Sequence, residues 1–489
     1  NTADTLSISA NPMYNNDADL RPLPGSALLT KGTPITTVTT DMLGAARNAT
    51  TPTIGAFEVA GEFAAPTFSF TGLGKTTSTV NRTLVVNITD YSGVNTTTAA
   101  PRLYFRKSTN ANTFVDNTPA TDGWKYVNPT VNGNDYTFEI DYTKLNGAAP
   151  AAGTTIEYFV VAQDLSTSIN VGYESALLSN SPTSVELTSA AFPVTNTKNY
   201  YITNSLSGVI NVGNGQTFTN LTGDNGAFKY INNAIASGNI SIVVTSDLVE
   251  DGANALNQLV EEGVGNYTVS IKPDGTTPRK ISGAVTGNGV ITLNGADRVT
   301  IDGMAQENGI PHCLIIENTT ATTGAAIRLI SLGQNAGTTN NVIKNTVIYS
   351  GSSSNTTAFG ILSHGIAYGT GTPYGVDNDN LVVDNNQFFR CYTGVRIYGE
   401  STTNPTTGLV ISNNTFGSND TLTAIGYAGV YINNTLGTQI TNNTIINTPD
   451  YGVYSLNGDS AHVANNNVSG WQQYGLYIGD RKSTRLNSS

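Results

Sequence analysis

Five phrases of glycine plus an aliphatic residue recur in the C-terminal part of this chain: Gly360-Ile361, Gly394-Val395, Gly429-Val430, Gly452-Val453 and Gly475-Leu476. The residues that follow them are Leu362, Arg396, Tyr431, Tyr454 and Tyr477, and the earlier Arg328 joins this set if Ile327 is equivalent to Val395. If equivalent positions stack, these tyrosines and arginines share one solvent-facing strip, about 4.8 Å apart per repeat. Aromatic faces beside a guanidinium suit sugar rings and acidic polysaccharides, by ring stacking and by bidentate bonds to carboxylates. The competing reading is an aromatic ladder that stacks on itself and stabilises a sheet.

A second constellation is acidic. Asp377, Asp379 and Asp384, with Asn378 and Asn380 between them, lie on a loop just before a strand. Three carboxylates with amide oxygens suit Ca²⁺, which takes six to eight oxygen ligands, and two of them suit acid/base work on a glycosidic bond. Asx-rich loops are also the ordinary bend in a chain of this composition. His312 and Cys313 abut the aliphatic run Leu314-Ile315-Ile316 and read as part of a strand, with no second His or Cys at metal-ligand spacing. Whether Cys313 pairs with the distant Cys391 is left open by the sequence.

The elements that must position these residues follow from the period. The glycine phrases are spaced by 34, 35, 23 and 23 residues, so one unit is 23 residues with a loop added in places, as at Thr402-Thr403-Asn404-Pro405. Such a unit, with short alternating stretches and Asn/Gly turns, predicts one turn of a coil whose strands stack in parallel on the next turn. Its inward columns are apolar: Ile361, Val395, Val430, Val453 and Leu476 in one, Ile348, Phe388, Phe416, Ile445 and Val468 in another. A second phrase, Ile411-Ser412-Asn413-Asn414 and its counterparts, supplies Asn at a bend, suited both to left-handed backbone and to bonding its copy above and below.

In these residues the chain resembles the right-handed parallel β-helix family of pectin-lyase-like fold, and especially repeat proteins on the surface of Bacteroidota. The likeness extends over residues 199–480. It includes an entry segment, Gly223-Asp224-Asn225-Gly226-Ala227-Phe228, predicted to open a capping helix over 223–237 with Phe228, Ile231, Ala234 and Ile235 on one face and Asp224 or Asn225 as its cap. A polygalacturonase-like member would show N-x-D, D-D, G-H-G and R-I-K motifs. Here Asn457-Gly458-Asp459 fits the first, Arg396-Ile397-Tyr398 replaces the last, and the other two do not occur. Lyases of this fold use a basic residue as proton abstractor near Ca²⁺, a role the resemblance offers to Arg390 or Arg396.

Residues 62–198 have another rhythm. Leu84/Val86/Ile88, Leu103/Phe105, Trp124/Tyr126, Tyr136/Phe138/Ile140 and Ile156/Tyr158/Val160/Ala162 alternate between polar loops, a pattern that resembles an immunoglobulin- or fibronectin-III-like spacer sandwich. Residues 1–61 look like the closing coil and tail of a preceding β-helix. The last nine residues, 481–489, are similar to translated sequencing-adapter read-through and read as a non-native tail.

Composition sets the outer bounds. The chain of 489 residues carries 23 Lys and Arg against 35 Asp and Glu, a net charge of −12, with 50 Gly, 2 Cys and only 12% charged residues. Helical bundles and coiled coils are excluded because their Ala, Leu, Glu and Lys surplus is missing. Nucleic acid as a partner is excluded for want of a basic footprint, and no apolar stretch is long enough to span a bilayer as a helix. Two cysteines make no disulfide framework, and a Thr-, Asn- and Gly-rich surface is that of an exported bacterial protein. The expectation is therefore an all-β extracellular or outer-surface fragment: a right-handed parallel β-helix, preceded by an Ig-like sandwich and by the remnant of another β-helix. Its function is adhesion or the binding of a polysaccharide or host-cell glycan, without catalysis or a required cofactor. The alternative is a Ca²⁺-dependent polysaccharide lyase or a glycoside hydrolase acting on acidic glycans.

Overall fold

The computed structural model describes residues 8–24, 26–59, 64–368, 375–480 and 485–487, and the chain divides into two compact units, 1–203 and 204–489.

In the second unit three parallel sheets run side by side. The first has ten strands, from Ser205–Val212 to Arg485–Asn487, and the second and third have eight each, from Leu248–Val249 to Asn467–Ser469 and from Leu256–Asn257 to Tyr474–Asp480. Each coil visits the sheets in order, as in Val382–Asp384, Gln387–Phe389 and Thr393–Tyr398. This is a right-handed parallel β-helix. Both apolar columns expected from the repeat form in register: Ile361 pairs through Val395, Val430 and Val453 to Leu476, and Ile348 through Phe388, Phe416 and Ile445 to Val468. Phe388 and Phe416 stack inside with centroids 4.6 Å apart. Period-two alternation supplies the inward set, and one-strand spacing per coil turns it into continuous columns.

The recurring glycine has a steric cause. A Cβ on Gly394 would stand 2.5 Å from Phe416 Cδ1 and 2.7 Å from the Gly429 carbonyl, and one on Gly452 would stand 2.3 Å from Val468 Cγ1. The large residue of one inward column therefore occupies the space that a side chain at the glycine position would need.

The paired asparagines divide the work that the sequence reading gave to one residue. The first of each pair takes the left-handed backbone, at φ 52° for Asn385, 58° for Asn413, 57° for Asn442 and 58° for Asn465. The second is buried in a ladder. Asn386 Nδ2 donates to Asn414 Oδ1 at 3.0 Å, Asn414 Nδ2 to Asn443 Oδ1 at 3.0 Å, and Asn443 Nδ2 to Asn466 Oδ1 at 2.9 Å. Each amide also bonds a backbone carbonyl of the preceding coil, as Asn414 does with Val383 at 2.9 Å, so the inner asparagines themselves are satisfied.

The capping helix is shorter than expected, Ala227–Asn233, and its N-cap is Gly226 rather than Asp224 or Asn225. Asp224 instead pairs with Lys229 at 3.0 Å on the surface. Ala227, Phe228 and Ile231 seal the first coil as expected, whereas Ile235 already opens the strand Ile235–Val244. The turn ahead of the helix is held by Glu250, buried, whose carboxylate accepts from the Leu221 and Thr222 amides and from the Thr222 hydroxyl. Burial pushes its pKa up.

The first unit is antiparallel. One sheet orders its strands Thr67–Ser69, Arg82–Thr89, Asp135–Ile140, Thr130–Asn132; the other joins Val171–Glu174 and Lys198–Tyr201 to one edge of Thr155–Gln163, followed by Arg102–Lys107 and Lys125–Val127. Leu84, Val86, Phe138, Phe105, Tyr158 and Val160 fill a common core between them. A further cluster, including Trp124, Phe159, Leu187 and Phe192, covers the outer face of the second sheet with the segment 176–194. In residues 1–61 the strands Tyr14–Asn16 and Asp19–Pro22 pair antiparallel, and no parallel ladder occurs there among the described residues. Of the tail, Arg485–Asn487 pairs with His462–Ala464, and its other residues lie outside the described residues.

Candidate functional site: the outer face of the third sheet

From Gly289–Asn294 onward the strands of the third sheet are six to eight residues long, and its outward positions carry the aromatic strip. Thr292, Arg328, Leu362, Arg396, Tyr431, Tyr454 and Tyr477 pair in succession along one column, Arg328 included. A neighbouring outward column runs Phe359, Thr393, Ala428, Tyr451 and Tyr474. Tyr392 and Tyr427, one residue ahead of each strand's start, stack with centroids 5.0 Å apart and planes 7° apart. Tyr431 and Tyr454 are 5.0 Å apart, Tyr454 and Tyr477 4.9 Å, and Tyr451 and Tyr454 4.4 Å. The column spacing was legible in the sequence. The contributions of Tyr392, Tyr427, Tyr451 and Tyr474 were missed, although each lies one or two residues before a glycine phrase, which is the signal that identifies them.

Arg396 sits at one end of these rings. Its guanidinium carbon lies 4.5 Å from the Tyr431 ring centroid and 4.9 Å from that of Phe359, and its Nε donates to Tyr398 Oη at 3.1 Å. Arg328 lies over Tyr368 at 5.2 Å and spends its Nη atoms on the Gly287, Gly365 and Ile366 carbonyls and on Asn288 Oδ1. Burial pulls its pKa down. The crowding of rings acts on the phenols in the opposite direction: burial first, then the neighbouring tyrosines, push Tyr427 up to about 12, and Tyr431 higher still. Tyr427 and Tyr431 are therefore neutral at physiological pH, and the strip presents apolar ring faces with hydroxyl rims.

The other expected site residues separate. Arg390, in a left-handed turn at φ 48°, belongs to the second sheet's end, where it pairs with Glu317 and covers Tyr349. Glu317 also takes Lys280. Burial alone would raise the Glu317 pKa, but the hydrogen bonds from Lys280 and Arg390 outweigh it and hold it below the usual carboxylate range. In the acidic loop, Asp377 accepts the Asn335 amide at 2.5 Å, Asp379 that of Thr407 at 2.6 Å, and Asp384 the Ser412 hydroxyl and the Asn413 amide, both at 2.7 Å. Each carboxylate thus joins its own coil to an adjacent one, and among the described residues no group of three or more His, Cys, Asp or Glu gathers as a metal set would. Cys313 and Cys391 are both buried free thiols, with burial pushing Cys391 up to about 12. His312 and Cys313 precede the strand Leu314–Asn318 rather than joining it; His312 is in a left-handed turn and its ring Nε2 bonds the Asn385 carbonyl at 2.9 Å. A cavity of about 600 Å³ lies within residues 32–55 of the first unit and is lined by none of these groups; its one charged lining residue, Arg47, donates to the Thr53 and Gly55 carbonyls.

The family model "Right handed beta helix region" matches residues 428–489, the coils that carry Tyr431, Tyr454 and Tyr477. No curated protein and no solved structure matches the chain. Among the described residues no helix is long and apolar enough to cross a membrane.

Proposed function

We propose that the chain is an extracellular or cell-surface β-helix protein, of the kind expected on bacteria, that binds carbohydrate without catalysis on the outer face of its third sheet. The observation that carries this reading is the continuous run of ring faces from Tyr392 to Tyr477, repeated at the coil spacing and rimmed by hydroxyls. Stacked pyranose rings present C–H faces to such a surface while their hydroxyls stay in water, so little desolvation opposes binding. The lyase alternative has less support, since Arg390 is paired with Glu317 and the loop carboxylates bond to their neighbouring coils. The strand order of residues 67–201, with four strands facing a sheet whose last edge is split in two, supports reading the first unit as an Ig-like spacer.

Affinity electrophoresis through gels containing neutral and acidic polysaccharides tests the binding face. Wild type is expected to be retarded by at least one glycan, and Tyr454→Ala with Tyr474→Ala to bind it about tenfold more weakly, as the loss of two stacking contacts predicts. Equal retardation of the double variant, or free migration in every gel, defeats the proposal.

A further inference from the structure

The arginines of the helical unit divide sharply by their partners. Residues 204–480 hold five of them. Arg279 pairs with Asp274 at 2.7 Å, Arg298 with Glu261 at 2.7 Å, and Arg390 with Glu317. Arg328 and Arg396 make no ion pair with any described residue, and both project from the outer face of the third sheet. They are also nearly covered, at 4% and 8% exposed. A buried guanidinium without a counter-charge is costly, and such charges are normally paired. The carboxylate beside the strip, Asp450, accepts from Gln473 Nε2 at 2.8 Å instead of serving an arginine.

The two arginines do not stand alike. Arg328 has its Nη atoms engaged by carbonyls and an amide oxygen, and its charge acts from beneath the face. Among the described residues Arg396 bonds only Tyr398 Oη, through Nε and Nη2, which leaves Nη1 for an incoming acceptor at the edge of the tyrosine run. One coil separates Arg396 from Leu362 and a second reaches Arg328, so the two charges lie about 10 Å apart along the helix axis. A chain of sugars lying along that axis, stacked on Tyr431 and Tyr454, brings a ring substituent over Arg396.

We infer that the third-sheet face is selective for glycans carrying an anionic substituent, a carboxylate or sulfate, and that Arg396 is the residue that reads it. This rests on the carbohydrate-binding reading above and adds the chemical class of ligand and the determinant of its choice. The anion accepts from the free side of the guanidinium, where the surrounding rings exclude water and strengthen the bond.

Binding constants should be measured in matched pairs: polygalacturonate against its full methyl ester, and chondroitin sulfate against desulfated, carboxyl-reduced chondroitin. Wild type is expected to bind at least one acidic member tenfold or more tightly than its neutral counterpart, and to lose that margin as NaCl is raised. The pair that shows the margin identifies carboxylate or sulfate as the group read. Arg396→Gln should abolish the margin, read as the ratio of acidic to neutral affinity in the same variant, and Arg396→Lys should restore part of it. Equal affinity for both members of both pairs overturns the inference and leaves the carbohydrate platform intact, as does a margin that survives Arg396→Gln. Absence of binding to all four glycans overturns both readings. Should Arg396→Gln not fold, the salt titration of wild type on acidic against neutral members decides alone: parallel curves overturn the inference.

Discussion

The doubled asparagine shows how one sequence signal can hide two physical tasks. Both residues of Asn413-Asn414 read alike, because either side chain tolerates left-handed backbone and either can join a ladder. Backbone geometry separates them: the residue at φ 58° turns its side chain to Asp384 at the rim, and its successor turns inward to Asn386, Asn443 and the Val383 carbonyl. Truncating the inner one strands donors and acceptors on both sides in a dry environment. Asn414→Ala is therefore expected to destabilise the helical unit by about 3 kcal/mol, read from urea unfolding, whereas Asn413→Gly, which keeps the backbone conformation available, should cost well under half of that. Equal losses in the two variants would contradict this division of labour. The site residues behave similarly. Arg396, Tyr431, Tyr454 and Tyr477 were legible as one column because their offset from the glycine is constant, and Arg328 joined them through the equivalence of Ile327 with Val395. That Arg390 belongs to Glu317 was not legible, since the partner lies 73 residues away.

At the scale of the strand, the glycine phrase is a packing device. Gly360, Gly394, Gly429 and Gly452 each face the bulky member of the adjoining inward column, Phe388, Phe416, Ile445 and Val468 in turn. Rows of small and large residues thus interlock coil by coil. Gly394→Ala is expected to cost about 2 kcal/mol through overpacking against Phe416, and Phe416→Leu should recover part of it in a double-mutant cycle. Gly275→Ala, where nothing lies within 4 Å and the backbone is ordinary, is the control and should be neutral; a Gly394→Ala protein as stable as that control would refute the steric account. The same interlock places Val395 inward and Arg396 outward with no freedom of register, since a slip by one residue would turn the charge into the apolar column. The helix at the entrance was found from its apolar spacing, but its start was misjudged. Gly226 caps it because the preceding turn is drawn in by Glu250 bonding to Leu221 and Thr222, a contact about thirty residues away in sequence that no local pattern reveals.

For the whole molecule, the apolar cores of the two units share no residue: the main core of the helical unit runs through the coils from Leu206 to Val463, while those of the first unit lie within residues 84–202. Cores that do not merge unfold as separate cooperative events. Calorimetry of the full chain is expected to resolve two transitions, with one retained at an unchanged temperature in a protein of residues 204–489; a single transition, or loss of the retained one, would show that the units depend on each other. The periodic part of this protein was determined by its sequence alone: the coil, its two inward columns and the outward strip follow from a repeat whose units meet copies of themselves, so local pattern and tertiary contact carry the same information. Only the tertiary structure decided the rest. The covering of the second sheet of the first unit by residues 176–194, the partners of Arg390 and Glu250, and the lack of an ion pair between Arg328 or Arg396 and any described residue all depend on meetings between unlike segments. A chain without internal copies of those segments holds no pattern from which such meetings can be read.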